Sequence, residues 1–124
     1  MIRGIGIDIV YIPRILKVMQ KHGWRFLYRV YSQKEIDIGH RYDNSEIQAK
    51  YFSTRFAAKE AFVKALGTGF NNGIKMKDIE IHNDANGKPY ILTSKDFICE
   101  NNVTHLSISD DKEYATAFVV IETV

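Results

Sequence analysis

Phe52-Ser-Thr-Arg-Phe-Ala-Ala-Lys-Glu-Ala-Phe-Val-Lys-Ala-Leu-Gly-Thr-Gly69 is the stretch on which the fold turns. At about 100° per residue, Phe52, Phe56, Val63 and Leu66 line up as one apolar stripe. Ala57, Ala61 and Ala65 make a second stripe of small residues, which invites close approach by another element. Ser45 with Gln48 forms a capping signature, and Gly67 and Gly69 supply the exit. The spacing therefore predicts one long helix over about 46–66. Glu60 falls between the two stripes and away from the solvated face. A carboxylate there is costly unless a cation or hydrogen-bond donors meet it. The plain alternative is an i,i+4 pair with Lys64, worth about 0.2–0.5 kcal/mol.

Upstream, Ile2-Arg-Gly-Ile-Gly-Ile-Asp-Ile-Val10 alternates as a strand, with Ile5, Ile7 and Ile9 on one face and Gly4, Gly6, Asp8 and Val10 on the other. Asp8 interrupts a buried-looking strand, and the two glycines beside it are expected to leave open space for an ion or ligand. The alternative is an aspartate capping the turn into Tyr11-Ile12-Pro13. Pro13 and Gly23 bracket a helix whose apolar stripe is Ile15, Leu16 and Met19. Arg14, Lys17, Lys21 and Arg25 follow on a different face. An aromatic stretch runs from Trp24 to Tyr31, and Ser32 with Glu35 opens a modest helix through about residue 42.

Downstream, residues 78–82 and 89–93 read as strands joined by Asn86-Gly87, a strong hairpin signal. A short helix is expected near 94–101. Strands at 103–109 and 114–121 are joined by Asp110-Asp111-Lys112-Glu113. The expectation is an α+β chain, residues 1–124 as a single compact domain, with an antiparallel sheet packed against one long helix and several short ones.

Charge is unevenly placed. Residues 1–34 hold seven basic side chains against Asp8, whereas the remaining 90 residues carry a net −4 within an overall +2. The asymmetry points to an acidic partner for the N-terminal region, and the acidic remainder argues against nucleic-acid binding. No apolar run approaches the roughly 20 residues of a membrane helix. The start has no signal-peptide layout, so a cytoplasmic protein is expected. Cys99 is the one cysteine, which excludes an internal disulfide framework and multi-cysteine metal sites.

Two carboxylates in apolar settings, Asp8 and Glu60, could share a divalent ion. With oxygen ligands too few for a calcium cage, Mg²⁺ with substrate phosphate oxygens is the best match. Arg55, Lys59 and Lys64 offer cations, and Gly67-Thr68-Gly69 offers backbone amides and a hydroxyl. A Walker A loop is absent. In the late strand, His105, Ser107 and Ser109 share one face, either lining a polar pocket or facing water.

In order along the chain, Gly4-Ile-Gly-Ile-Asp-Ile9, Arg55-Phe-Ala-Ala-Lys-Glu-Ala61 with Lys64, Gly67-Thr-Gly69, Asn86-Gly-Lys-Pro89 and His105-Leu-Ser-Ile-Ser109 are found. Together they resemble the bacterial holo-(acyl-carrier-protein) synthases, the short 4′-phosphopantetheinyl transferases of fatty acid synthesis, over nearly the whole chain. The resemblance implies Mg²⁺-dependent transfer of 4′-phosphopantetheine from coenzyme A to a serine of apo acyl carrier protein, releasing adenosine 3′,5′-bisphosphate. It implies Asp8 and Glu60 as metal ligands, with Lys64 as a further catalytic group on the pyrophosphate. Arg55, Lys59, Lys64, Gly67, Thr68, Gly69, Pro89 and His105 would line the coenzyme A site. Arg14, Lys17, Lys21 and Arg25 would dock the carrier protein. It also implies a homotrimer with sites between subunits. Asp110 departs from the family pattern and receives no role.

Two readings compete with the transferase. A non-catalytic module holding an acidic helical protein would bind without Mg²⁺ or coenzyme A. An Mg²⁺ phosphohydrolase would release phosphate from small esters with no carrier protein present.

Overall fold

The computed structural model describes residues 1–93 and 97–124. The chain runs β1 (Ile2–Tyr11), α1 (Ile12–His22), α2 (Trp24–Val30), α3 (Gln33–Gly39) and α4 (Ser45–Leu66). A 3₁₀ turn at Met76–Asp78 leads into β2 (Ile79–Asn83), β3 (Pro89–Thr93), β4 (Asn102–Asp111) and β5 (Tyr114–Thr123). Two antiparallel sheets result, one ordered β1-β5-β4 and one formed by β2 and β3. The α+β expectation holds.

Helix α4 is the centre of the molecule, and Phe52, Ala57, Ala61 and Phe62 along it are fully buried. Its alanine stripe receives β1 at backbone distance. A Cβ placed on Gly6 would stand 1.8 Å from the Ala61 carbonyl oxygen, and one on Gly4 would stand 1.9 Å from that of Ala65. The glycines therefore do not open space beside Asp8, as their lack of side chains suggested. They are the contact surface, and the helix fills the room they leave.

The opposite face of the same sheet is the surprise. Ile5, Ile7 and Ile9 are 56%, 60% and 64% exposed, and Phe118 beside Ile7 on β5 is 42% exposed. The alternation is as expected, with the isoleucines on the outer side and the glycine–aspartate face inside.

Most boundaries follow local chemistry. The capping box of α3 forms as expected, with Ser32 N–H donating to Glu35 Oε1 at 3.0 Å and Glu35 N–H to Ser32 Oγ at 3.3 Å. The helix stops at Gly39, short of residue 42. Asn44, not Ser45, caps α4, its Oδ1 accepting from Ile47 N–H at 2.8 Å. Gly67 ends α4 with φ +78°. The aromatic stretch is helix α2, which buries Leu27 and Val30 and stacks exposed Trp24 on Tyr28 at 5.3 Å. In the β2–β3 hairpin, Asp84 Oδ1 accepts from both Asn86 and Lys88 N–H at 2.9 Å, with Gly87 at φ +84°. Part of the helix expected near 94–101 lies outside the described residues, and residues 97–101 form a bend and turn.

Candidate active site

Asp8 enters the site from the inner face of β1, two residues beyond the glycine seam, and Glu60 enters from α4, one residue before Ala61 of that seam. The close approach that the glycines permit therefore brings the strand acid and the helix acid to one place. Both line a cavity of about 320 Å³ with Arg14, whose apolar wall includes Ile15, Phe26 and Phe56. Burial pushes the Glu60 carboxyl above its usual range, the neighbouring Asp8 charge adds to the rise, and Lys64 partly opposes it. Among the described residues, no hydrogen bond or ion pair holds the Glu60 carboxylate.

Lys64 does not serve Glu60. Its Nζ donates to Asp8 Oδ1 at 3.1 Å and to the Ile7 carbonyl at 2.9 Å. The plain i,i+4 pair is thus replaced by a bridge from α4 to β1. Beyond Lys64, Gly67, Gly69 and Phe70 border a shallow recess of about 370 Å³ that Glu60 also lines. Gly67 and Gly69 have φ of +78° and +61°, with open space where a Cβ would stand. Thr68 is exposed between them. The two acids, Lys64 and the glycine turn form one continuous region. Its arrangement can hold a divalent cation and a diphosphate, because two carboxylates supply hard oxygen donors beside the Lys64 ammonium and the open glycine turn.

The remaining predicted residues lie elsewhere on the chain. Arg55 stacks over the Tyr51 ring at 4.3 Å and donates to Thr54 Oγ1 at 3.0 Å and Asn83 Oδ1 at 3.2 Å. With Pro89 it lines a separate cavity of about 390 Å³, which the Lys50–Asp110 ion pair at 2.9 Å also lines. Tyr42, Lys50, Tyr51, Asn83 and Asp110 of this cavity were not singled out by the sequence reading. The one available signal was the adjacency of Tyr51 to Arg55 and of Asn83 to the turn before Pro89. His105 sits on the exposed sheet face, with Ser107 and Ser109, and its Nε2 contacts Glu122 Oε1 at 2.7 Å. Arg14, Lys17, Lys21 and Arg25 are exposed along α1 and the start of α2.

Lys59 is a correction. Its side chain is fully buried, and Nζ donates to Glu35 Oε1 at 2.6 Å, Met76 O at 3.1 Å and Ile79 O at 2.5 Å. All three N–H groups of the ammonium are committed, so none is left for a ligand. Glu35 Oε2 in turn accepts from Ile81 N–H at 3.0 Å, tying α3, α4 and β2 together. Burial holds Lys59 below its ordinary range, opposed by the Glu35 charge. Glu35→Ala strands this lysine and is expected to destabilise the protein by about 3–5 kcal/mol in urea melts. Loss of the opposing carboxylate lowers the Lys59 pKa further. The unfolded lysine then keeps its proton to higher pH than the folded one, so the deficit should narrow as pH rises toward lysine's ordinary range. A deficit unchanged between pH 7 and 9 would contradict the buried-cation account.

The chain as a whole has counterparts among known proteins. A family model described as the 4′-phosphopantetheinyl transferase superfamily matches residues 4–119. A holo-[acyl-carrier-protein] synthase of Wolbachia pipientis subsp. Culex pipiens is 63% identical over 121 residues, covering 98% of each chain. One from Ehrlichia canis is 54% identical over 124 residues, covering 98% of this chain and 94% of its own. Among solved structures, the Bacillus anthracis holo-(acyl-carrier-protein) synthase in complex with CoA (3′,5′-ADP) superposes with a TM-score of 0.85 at 40% identity. That match covers 100% of this chain and 99% of the other. The Helicobacter pylori enzyme in complex with coenzyme A gives 0.80 at 36% identity, covering 95% and 99%. The chain is a phosphopantetheinyl transferase and belongs, within that superfamily, to the holo-[acyl-carrier-protein] synthase family. A non-catalytic binding module is thereby set aside.

Proposed function

We propose that this enzyme transfers 4′-phosphopantetheine from coenzyme A to a serine hydroxyl of apo acyl carrier protein, releasing adenosine 3′,5′-bisphosphate. In this reading residues 1–124 act as one transferase domain. The observation that carries it is the pair Asp8 and Glu60 in one cavity, with Lys64 Nζ 3.1 Å from Asp8. Names of relatives that include coenzyme A and the carrier protein support the substrate pair.

The acids fit a divalent cation. Glu60 is half-buried and takes no hydrogen bond or ion pair among the described residues, and burial first, then the Asp8 charge beside it, raises its pKa. Asp8 and Glu60 would hold Mg²⁺, which when bound supplies charge neutralisation at the diphosphate being cleaved. The protein's own residues supply the rest. Lys64, on a flexible and half-exposed stem, can reach the diphosphate and steady the charge that grows on the departing bisphosphate. The glycine turn at 67–69 lets phosphate oxygens approach the backbone closely. Ile15, Phe26 and Phe56 give the cavity an apolar wall against which the pantetheine arm can lie.

Arg55, Pro89 and His105 lie apart from the acids on a single chain, and all would line the coenzyme A site in a homotrimer whose sites form between copies. The exposed Ile5, Ile7, Ile9 and Phe118 face supports such an assembly, since an apolar sheet face of this kind is normally covered. Cytoplasmic fatty acid biosynthesis is the setting proposed for the reaction. Among the described residues, no helix is long and apolar enough to cross a membrane.

Arg14, Lys17, Lys21 and Arg25 would dock the acidic carrier protein. Changing Lys21 and Arg25 together to glutamate is expected to raise the carrier-protein KM about tenfold, with a weaker salt dependence and kcat retained. Steady-state kinetics at two ionic strengths check this. The direct test of the function is mass spectrometry of apo carrier protein incubated with enzyme, coenzyme A and Mg²⁺. A gain of one phosphopantetheine per carrier is expected. No gain, or phosphate release from small esters without carrier, would overturn the proposal.

A further inference from the structure

Two carboxylates meet at the site, but only one is held in an ion pair. Lys64 Nζ spans Asp8 Oδ1 and the Ile7 carbonyl, while Glu60, one helical turn earlier on the same face of α4, receives no donor among the described residues. The Ile7 carbonyl belongs to β1, which pairs with β5 on one side only. The lysine therefore caps an edge-strand acceptor and neutralises an acid with the same ammonium. An ammonium in contact with a carboxylate oxygen and a divalent cation on that carboxylate repel each other at close range. The side chain of Lys64 is 53% exposed, whereas that of Asp8 is 17% exposed, so the lysine is the partner free to leave.

We propose that Lys64 is a latch, holding the Asp8 carboxylate in the free enzyme and releasing it when a divalent cation binds. The inference rests on the metal and diphosphate reading above. Glu60 and Asp8 would both hold the cation, Glu60 with no partner to lose and Asp8 only with the lysine swung away. A substrate diphosphate gives the displaced ammonium a new acceptor. Lys64 thus works against the metal in the free enzyme and with it in the loaded one. Its removal should then strengthen metal binding even though it weakens transfer.

The test is Mn²⁺ titration of the whole enzyme without coenzyme A, reading free Mn²⁺ by electron paramagnetic resonance. Lys64→Met is expected to bind Mn²⁺ about tenfold more tightly than the natural enzyme, from loss of a close competing charge. Arg14→Met removes a charge from the same cavity without breaking a bond to Asp8, and is expected to change affinity by less than about twofold. Unchanged affinity in Lys64→Met would overturn the latch, as would equal tightening in Arg14→Met, which would mean a general field effect. Glu60→Gln separates the two levels of the argument. If it binds Mn²⁺ like the natural enzyme, the metal reading fails and the latch with it. If it loses binding while Lys64→Met gains nothing, only the latch fails.

Discussion

Replacing Glu60 with glutamine is expected to lower the transfer rate by about a thousandfold, roughly 4 kcal/mol of transition-state stabilisation. The same change should leave the unfolding midpoint of the free enzyme unchanged or slightly raised. These two outcomes follow from one geometry. The Glu60 carboxylate is half-buried, unpartnered and next to Asp8, so in the empty protein its charge is a cost. Glutamine keeps the shape and removes both the desolvated charge and the repulsion from Asp8. Transfer as proposed, by contrast, needs that charge, because Glu60 would be one of the two anionic oxygen donors holding a cation against the diphosphate. An acid retained purely for structure would behave the other way, with stability falling and turnover preserved. Rates from mass spectrometry of the carrier protein, read beside urea melts of the same preparations, separate these cases. Near-normal turnover in Glu60→Gln would remove Glu60 from the metal site.

The other large effect concerns the seam that carries Asp8 to Glu60. Gly6→Ala is expected to cost about 3 kcal/mol or more, because its Cβ would stand 1.8 Å from the Ala61 carbonyl oxygen. Backbone lies on both sides of this contact, so no side chain can rotate away and the helix must move off the strand. Since a domain's whole stability is about 5–15 kcal/mol, much of the fold's margin would be lost. Gly67→Ala is the control. It stands in open space at φ +78°, so its penalty is the left-handed backbone alone, about 1–2 kcal/mol. Urea melts of the two variants should differ clearly, with Gly6→Ala the weaker protein. Comparable midpoints would show that β1 does not sit on α4 as closely as described. Any Gly6→Ala protein that still folds should also transfer poorly, since moving the strand moves Asp8.

Local signals were legible where a short-range cause acts alone. The capping box of Ser32 and Glu35, the glycine exit of α4 and the Asn86-Gly87 turn all depend on residues within four positions of one another. Each formed where its chemistry required. The misread features depended on distant neighbours. Lys59 looked like one more cation on a phosphate-binding helix, because Glu35 and the Met76 and Ile79 carbonyls that consume it lie far away in sequence. The cavity around Arg55 gathers Tyr42 from the α3–α4 connection, Asn83 from β2 and Asp110 from β4, and no spacing rule links them.

The amino-acid order alone determined the central helix, its two stripes, the alternation of β1 and the pair of acids that interrupt apolar positions. Those follow from backbone periods of 3.6 and 2 residues, which act within one element. Which face of β1 turned inward was decided only in three dimensions. Strand alternation is symmetric between its two sides, and the choice fell to the glycine side because only residues without a Cβ, Gly4 and Gly6, can lie against the Ala65 and Ala61 backbone. Packing likewise chose the partner of Lys64, since Asp8 reaches it only after strand and helix have docked.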